Sequence, residues 1–250
     1  MDSKIYVLSF FGSKKLRGSG LTVPASRFLT AYNTNSFNSF LGYYLDDNNS
    51  DNNSDNNSEN KSENKSEKTE IAVRNNEIKK QQGVIWGKDP NHFAGRNEML
   101  KSIASGSNGA SGVQLVSTAQ HKVFEHSNVR WLGHQTAVQW LELLSESKFL
   151  LGLGDPLLGP SGIDAISRGC MYINPVYDKP MKVNDNLFLS QHSYAAANIG
   201  EPYVCSYKQN DLTSLQLCVD KAMKTDLKPF VPIEFTKEAY RQRVKKIFNL

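Results

Sequence analysis

Short apolar runs alternate with amphipathic stretches along most of this chain. The apolar runs predict strands at Lys4–Phe10, Ser39–Leu45, Gly83–Lys88, Val113–Ser117, Val129–Leu132, Phe149–Leu153, Met171–Asn174 and Pro202–Ser206. The helical period predicts helices at 96–104, 136–144, 212–223 and 236–248, and one that ends at Arg168. Strands that alternate with helices form a parallel sheet with helices on both faces. We therefore predict an α/β fold with a Rossmann-like, doubly wound sheet and ligands at the carboxyl ends of its strands.

One segment breaks this pattern. Residues 46–72 are rich in Asn, Ser, Asp, Glu and Lys in a four-residue period, which predicts a disordered insert. It separates N-terminal strands at 1–45 from a Rossmann-like domain at 73–230, and a C-terminal helix follows at 231–250.

The insert contains five Asn-x-Ser triplets, at Asn48, Asn52, Asn56, Asn60 and Asn64. They are N-glycosylation acceptors if the chain reaches a secretory lumen, but repeat slippage produces such triplets by chance, and we favour that interpretation.

Charge and hydropathy exclude some function classes. The net charge is +4 and no stripe of Lys and Arg with interleaved aromatics occurs, so nucleic-acid binding is not expected. No apolar run approaches the roughly 20 residues needed to cross a bilayer. Met1–Leu8 is too short and too polar for a secretory signal, so the chain as written is not expected to enter the secretory pathway.

The three cysteines, at 170, 205 and 218, lie far apart and lack the spacing of a zinc site. An odd count leaves at least one thiol free. The favoured interpretation is that all three are buried apolar side chains, which leaves the redox compartment open.

The segment from Phe149 to Cys170 predicts a buried strand, a tight loop and a helix. A helix that starts directly after a strand presents unpaired N–H groups and its positive dipole end at the sheet edge, where anions bind. Gly159 and Gly162 permit close approach of a ligand, Ser161 is predicted to cap the helix, and Asp164 accepts hydrogen bonds from a hydroxylated ligand such as ribose. A purely structural strand–loop–helix is the alternative, because a single motif of this kind is weak evidence.

Two further places follow predicted strands. Lys88 comes after Gly87, where its ammonium is placed to reach a diphosphate; an ordinary exposed lysine in a turn is the alternative. Gly133 and His134 precede a helix, and their backbone groups are candidates for pairing with a base edge, whereas the His134 side chain is interpreted as a helix-capping surface residue. The remaining histidines, at 92, 121, 126 and 192, are interpreted as loop or surface residues without chemistry.

Several collinear motifs carry a resemblance to a known family. The run Leu-Gly-Leu-Gly-Asp-Pro-Leu-Leu-Gly-Pro-Ser-Gly-Ile-Asp-Ala-Ile-Ser-Arg-Gly-Cys-Met-Tyr-Ile-Asn-Pro resembles the donor-binding segment of the α-1,6-mannosylglycoprotein 6-β-N-acetylglucosaminyltransferases. The same order of matches includes Asn38–Gly42, Trp86–Lys88, Gln191–Ala195, Ile199–Pro202, Pro232–Thr236 and Gln242–Arg243. The resemblance therefore extends through most of the chain.

The resemblance implies the C-terminal, nucleotide-sugar lobe of a GT-B glycosyltransferase. Such enzymes transfer N-acetylglucosamine from UDP-GlcNAc to the 6-position of a mannose in N-glycans, with inversion and without a metal or other cofactor. It implies a Golgi membrane location, and as partners a nucleotide sugar and an N-glycan acceptor. By position, Lys88 matches a lysine that contacts the donor phosphate, and Asp164 takes the place of a glutamate at the ribose. The implied donor-binding residues are Gly87, Lys88, Gly133, His134, Gly159, Pro160, Ser161 and Asp164.

The sequence also departs from the family pattern. Leu158 stands where the family has a carboxylate that faces the donor, and its loss is expected to weaken or alter donor recognition. The general base of such a transfer comes from an N-terminal lobe, for which this chain has no room. We therefore keep three hypotheses: part of a Golgi N-acetylglucosaminyltransferase, a degenerate lobe that binds a nucleotide or a protein, and a cytosolic GT-B enzyme with another nucleotide sugar.

Overall fold

The computed structural model describes residues 5–13, 23–45, 79–106, 112–181 and 186–250. The predicted insert at 46–72 and its Asn-x-Ser triplets lie outside these ranges. The described residues fall into two compact units. One contains the described residues of Met1–Asp47 and Val231–Leu250, and the other contains those of Asn48–Phe230.

The described elements alternate largely as predicted. The strands are β1 (Val7–Leu8), β2 (Phe28–Thr30), β3 (Ser39–Phe40), β4 (Lys80–Trp86), β5 (Gln114–Ser117), β6 (Val129–Trp131), β7 (Ser147–Gly152), β8 (Met171–Val176) and β9 (Val204–Lys208). The α-helices are α1 (Asn97–Ser105), α2 (Ala137–Ser145), α3 (Ser161–Ser167), α4 (Ser193–Asn198), α5 (Leu212–Lys224) and α6 (Lys237–Phe248). Short 3-10 turns lie at Ala25–Arg27, Pro90–Phe93, Asn186–Phe188 and Ile233–Phe235.

The smaller unit holds a three-stranded parallel sheet in the order β1-β2-β3. The predicted strands at β1 and β3 are longer than the observed ones, and β2 was not predicted, because strands of two or three residues are too short to show an alternating pattern. Arg243 of α6 fixes this unit: its guanidinium donates to the carbonyls of Leu41 and Glu234, both at 2.7 Å, and lies 4.4 Å from the Phe40 ring centroid. A single side chain thus joins β3, the loop after it and the C-terminal helix.

The larger unit contains the predicted parallel α/β sheet. Its six strands lie in the order β6-β5-β4-β7-β8-β9, and every pairing is parallel. This is the order of a doubly wound sheet, in which the first strand, here β4, and the fourth, here β7, lie side by side at the centre. Apolar side chains of α1 and α5 join one buried cluster with alternate residues of the strands, including Ile85, Leu115, Phe149 and Ile173.

At the centre of this sheet, Gly83 leaves space for a ring of the neighbouring strand. Gly83 of β4 pairs with Phe149 of β7, and a Cβ at position 83 would lie 2.0 Å from Phe149 Cζ. Gly83→Ala is therefore expected to destabilise the protein by about 1–3 kcal/mol through overpacking. Urea unfolding measures this cost.

The double variant with Phe149→Leu tests the cause of that cost. The smaller side chain makes room for the new methyl group, so the double variant is expected to lose less stability than the sum of the two single variants. Additive costs, or an unchanged stability of Gly83→Ala, would contradict steric conflict with Phe149.

The cysteine prediction is wrong for two of the three residues. Cys205 of β9 and Cys218 of α5 form a disulfide, whereas Cys170 is a buried free thiol, as predicted. The separation of 13 residues gave no sign of pairing, because only the packing of α5 against its preceding strand brings the two side chains together. A stable disulfide is typical of proteins that fold in an oxidising compartment.

Candidate functional site

The two predicted ligand-binding motifs begin side by side at one edge of the six-stranded sheet. β4 ends at Trp86, directly before Gly87 and Lys88, and β7 ends at Gly152, where the loop to α3 begins. Trp86 and Gly152 are paired across these parallel strands. The strand order reverses direction between β4 and β7, and doubly wound sheets bind their ligands at the carboxyl edge of this point.

A pocket opens beside Lys88. It is lined by Lys88, Thr118, Gln120, His134, Gln135 and Trp140. Most of these residues follow β4, β5 and β6, and Trp140 lies in α2, so three consecutive crossovers contribute to one depression. The structure thus brings Lys88 and His134 together, although they are 46 positions apart in the sequence.

Asp164 faces the same group of side chains. Burial raises the pKa of Asp164 to about 6, while a hydrogen bond from Trp140 and the charges of Arg168 and Lys88 favour the ionised carboxylate. Trp140 and Lys88 both line the pocket, so Asp164 lies beside the pocket and contacts its lining through Trp140. The sequence predicted Lys88 and Asp164 as site residues, but it offered no reason to single out Trp140, whose segment simply predicts an amphipathic helix.

The glycines of the two motifs pack against aromatic rings. A Cβ at Gly87 would lie 2.9 Å from Phe93 Cε2, and one at Gly159 would lie 2.7 Å from Trp86 Cζ2. Both glycines are buried. The close approach that each of them permits in this structure is to a side chain of the protein itself.

The start of α3 differs from the prediction by one residue. Ser161 is the first helical residue, and Pro160 occupies the N-cap position without a side-chain cap. The Pro160 carbonyl accepts hydrogen bonds from the N–H groups of Ile163 and Asp164, at 2.9 and 3.0 Å. The prediction that the Ser161 hydroxyl caps this helix is therefore wrong, because the first helical acceptor is the carbonyl of residue 160.

Gly133 and His134 lie in the turn after β6. Gly133 has φ +73°, a left-handed conformation that glycine adopts without strain. The side-chain amide of Gln135 donates to the carbonyls of Leu132, Gly133 and His134, at 3.1–3.4 Å. Gln135 therefore orders the turn whose backbone was predicted to meet a base. The His134 side chain is exposed, as interpreted, but the prediction that it caps the helix is wrong, because Thr136 is the N-cap of α2.

Two residues that sequence analysis left without a role hold the loop between β7 and α3. The first is Gln191. Its side-chain oxygen accepts from the N–H of Gly154 at 3.0 Å, its amide donates to the carbonyl of Pro156 at 3.2 Å, and its backbone carbonyl accepts from the N–H of Leu158 at 2.8 Å. One buried glutamine thus contacts this loop at three alternate positions.

The second is His192, and its interpretation as a loop or surface residue is wrong. It is fully buried, its Nδ1 accepts from the N–H of Ala195 at 3.2 Å, and it caps α4. Burial lowers the pKa of His192 to about 3, and hydrogen bonding to the backbone of Gly159 opposes this shift. A neutral ring with an acceptor at Nδ1 carries its proton on Nε2, so the ring donates to the carbonyl of Gly159.

The motif Gln191–Ala195 of the family resemblance contained both residues. Their function as a loop support depends on contacts with residues more than thirty positions earlier in the chain, which no local pattern encodes. Leu158, the departure from the family pattern, is fully buried at φ +52°. Its side chain therefore packs inside the protein, and its N–H is held by Gln191.

The described residues contain neither a metal-binding cluster nor a membrane-spanning helix. In the ranges that the structure describes, no group of three or more His, Cys, Asp or Glu side chains is arranged to hold a metal ion. No described helix combines the length and the apolar character that crossing a bilayer requires.

Comparison with known proteins agrees with the resemblance. The model of glycosyltransferase family 18 matches residues 9–249. The human α-1,6-mannosylglycoprotein 6-β-N-acetylglucosaminyltransferase A is 29% identical over 180 residues, which cover 68% of this chain and 24% of that protein. The human B enzyme is 28% identical over 116 residues, 42% of this chain and 15% of that protein.

A more distant animal relative gives the same result. The α-1,6-mannosylglycoprotein 6-β-N-acetylglucosaminyltransferase of Caenorhabditis elegans is 25% identical over 189 residues, 70% of this chain and 28% of that protein. The matched part spans about a quarter of the length of these relatives. Because the family model covers nearly the whole chain, this protein belongs to glycosyltransferase family 18.

Proposed function

We propose that this chain forms the donor-binding lobe of a GT-B enzyme that transfers N-acetylglucosamine from UDP-GlcNAc. The relatives' names support this sugar and a mannose in a glycoprotein as its acceptor. The proposed reaction extends an N-glycan at the 6-position of an α-linked mannose, with inversion and without a metal. A Golgi location is supported by the Cys205–Cys218 disulfide, since the secretory pathway is oxidising.

The observation that carries the proposal is that Lys88 lines a pocket at the switch point of the sheet and that Asp164 lies beside this pocket, hydrogen-bonded to Trp140 of its lining. In the proposed complex, the Lys88 ammonium binds the diphosphate and the Asp164 carboxylate accepts hydrogen bonds from the ribose hydroxyls. The turn at Gly133 and His134 receives the base, and the loop of Gly159, Pro160 and Ser161, with Gly87, borders the phosphates. A general base from another lobe deprotonates the acceptor hydroxyl.

Thermal unfolding with UDP tests the proposed pocket. A ligand that binds only the folded state at 100 times its dissociation constant stabilises it by about 2.7 kcal/mol. UDP is expected to raise the unfolding midpoint of the 250-residue chain, and Lys88→Ala is expected to abolish most of that shift because the diphosphate loses its cation.

The matched control is Lys221→Ala, which removes a partly exposed lysine of α5 that pairs with Glu201. This variant is expected to retain the full shift. If millimolar UDP leaves the melting curve of the folded, unsubstituted chain unchanged, the proposed donor binding is refuted. Equal shifts for Lys88→Ala and Lys221→Ala would remove Lys88 from the site.

A further inference from the structure

A second polar group lies at the same edge of the sheet, around Gly154. A Cβ at Gly154 would lie 3.2 Å from Arg96 Nη2, 3.2 Å from Tyr177 Oη and 3.3 Å from Gln209 Nε2. Arg96 precedes α1, Tyr177 follows β8 and Gln209 follows β9, so three separate loops place hydrogen-bonding atoms near one buried glycine.

Some of these atoms have hydrogen-bond partners among the described residues and others have none there. Arg96 Nη1 donates to the carbonyl of Ala94, and the Tyr177 hydroxyl donates to the carbonyl of Gly154, both at 2.8 Å. Among the hydrogen bonds of the described residues, none involves Arg96 Nη2 or the side-chain amide of Gln209. Arg96 also has no ion pair with a described carboxylate. A guanidinium and an amide therefore present donors at this edge, beside a hydroxyl that still has acceptor capacity.

A carboxylate adds an acceptor to the group. Asp155 follows Gly154 directly, its side chain is 63% exposed, and its Oδ2 lies 3.7 Å from His92 Nε2. Arg96 and Asp155 both act electrostatically on Tyr177, so the two charges share one neighbourhood. A simple anion would be repelled by Asp155, whereas sugar hydroxyls both donate and accept hydrogen bonds, and this mixture of groups suits them.

The position of the group relates it to the nucleotide pocket. The pocket at Lys88 lies over the ends of β4, β5 and β6, whereas Tyr177 and Gln209 follow β8 and β9 on the other side of the switch point. The loop from Gly154 to Ser161 follows β7, the strand that lies between β4 and β8, and so connects the two sides of the switch point. β4 and β8 are two strand spacings apart, roughly 10 Å, a distance that the diphosphate and the sugar of one extended ligand can bridge.

We propose that Arg96, Gln209, Tyr177 and Asp155 form the subsite that binds the sugar ring of the nucleotide sugar. The inference rests on the proposed function, because the diphosphate at Lys88 delivers the sugar to this group. Arg96 and Gln209 donate to ring-substituent oxygens, Asp155 accepts from a hydroxyl, and Tyr177 completes the wall. These residues bind the sugar, and no chemical step is assigned to them.

Calorimetric affinities for UDP and UDP-GlcNAc test the subsite. The 250-residue chain is expected to bind UDP-GlcNAc at least fivefold more tightly than UDP. Arg96→Met and, separately, Gln209→Leu are expected to leave the UDP affinity unchanged and to reduce the preference for UDP-GlcNAc to less than twofold. The matched control Arg130→Met removes an exposed arginine of β6 and is expected to keep the full preference.

The outcomes separate the two proposals. If the unsubstituted chain binds neither ligand, the proposed function fails and this inference fails with it. If UDP binds but UDP-GlcNAc binds no more tightly, or if both variants keep the preference, the subsite alone is overturned. Loss of binding to a mannose-terminated glycan, with the UDP-GlcNAc preference intact, would assign the group to the acceptor and also overturn it. Unchanged melting curves of the two variants establish that they are folded.

Discussion

His192→Asn is expected to abolish stabilisation by UDP and to lower the free energy of unfolding by about 2–3 kcal/mol. The asparagine oxygen can replace Nδ1 as the acceptor for the N–H of Ala195, so the cap of α4 is retained. The shorter side chain does not reach Gly159, whose carbonyl loses a buried donor. The loop before α3 then loses the support that holds it beside Lys88. Urea unfolding and the UDP melting shift measure the two effects.

His192→Gln provides the matched control. Its amide nitrogen extends further than that of asparagine, toward the position of Nε2, and it is expected to recover part of the UDP shift. A full UDP shift in His192→Asn would show that the loop does not depend on this contact. Loss of α4 in that variant, detected by circular dichroism, would instead show that the cap has failed.

The pH dependence of the same variant gives a second readout. The folded-state pKa of His192, about 3, lies below its usual value of 6.5, so the unfolded chain binds the proton first as the pH falls. The stability contributed by the neutral ring is complete above pH 6.5 and decreases by about 1.4 kcal/mol per pH unit as the pH falls toward 3. The cost of His192→Asn is therefore expected to shrink on acidification. Asp164, with its raised pKa, acts in the opposite direction but is common to both proteins. A cost that is independent of pH would contradict a buried neutral histidine.

Removal of the disulfide by Cys205→Ala with Cys218→Ala is expected to lower the free energy of unfolding by about 3 kcal/mol. The bridge closes a short loop, with a separation of 13 residues, between β9 and α5, and so restricts the unfolded chain. Urea unfolding with and without a reductant measures the effect. The reductant is expected to destabilise the unsubstituted chain and to leave the double variant unchanged.

Cys170→Ala is the control for this experiment. Burial raises the pKa of the Cys170 thiol to about 12, so the thiol is expected to resist alkylation in the folded protein. Its variant should retain the sensitivity of the chain to reductant. If reductant does not alter the unfolding of the unsubstituted chain, the two sulfurs do not form a stabilising bridge.

The sequence predicted the large elements well because each is long enough to show its own period. The strands at β4, β7 and β8 and the helices α1, α2 and α5 were all identified, with boundaries that differ by a few residues. It missed β2 and α4, which contain three and six residues. In segments this short, one turn of helix or one pair of strand residues carries no recognisable repeat, and tertiary contacts determine the conformation.

The candidate site shows the same division. Lys88 and Asp164 were predicted as site residues because each follows a strand–loop motif that also resembles a family segment, and the structure places them near each other. Trp140 and His192 were missed, since a tryptophan in an amphipathic helix and a histidine between predicted elements have no local signature. Their functions arise from contact with Asp164 and Gly159, which are distant in the chain.

By itself, the sequence determined the α/β class, the order of the elements and the family resemblance, because hydrophobic periodicity and collinear motifs are properties of the linear chain. The tertiary structure alone decided the strand order β6-β5-β4-β7-β8-β9 and therefore which loops meet. Strand pairing depends on the packing of the helices between strands and is not encoded in any one segment. The neighbourhood of Lys88 and Asp164, the loop support at Gln191 and His192, and the disulfide all follow from that long-range arrangement.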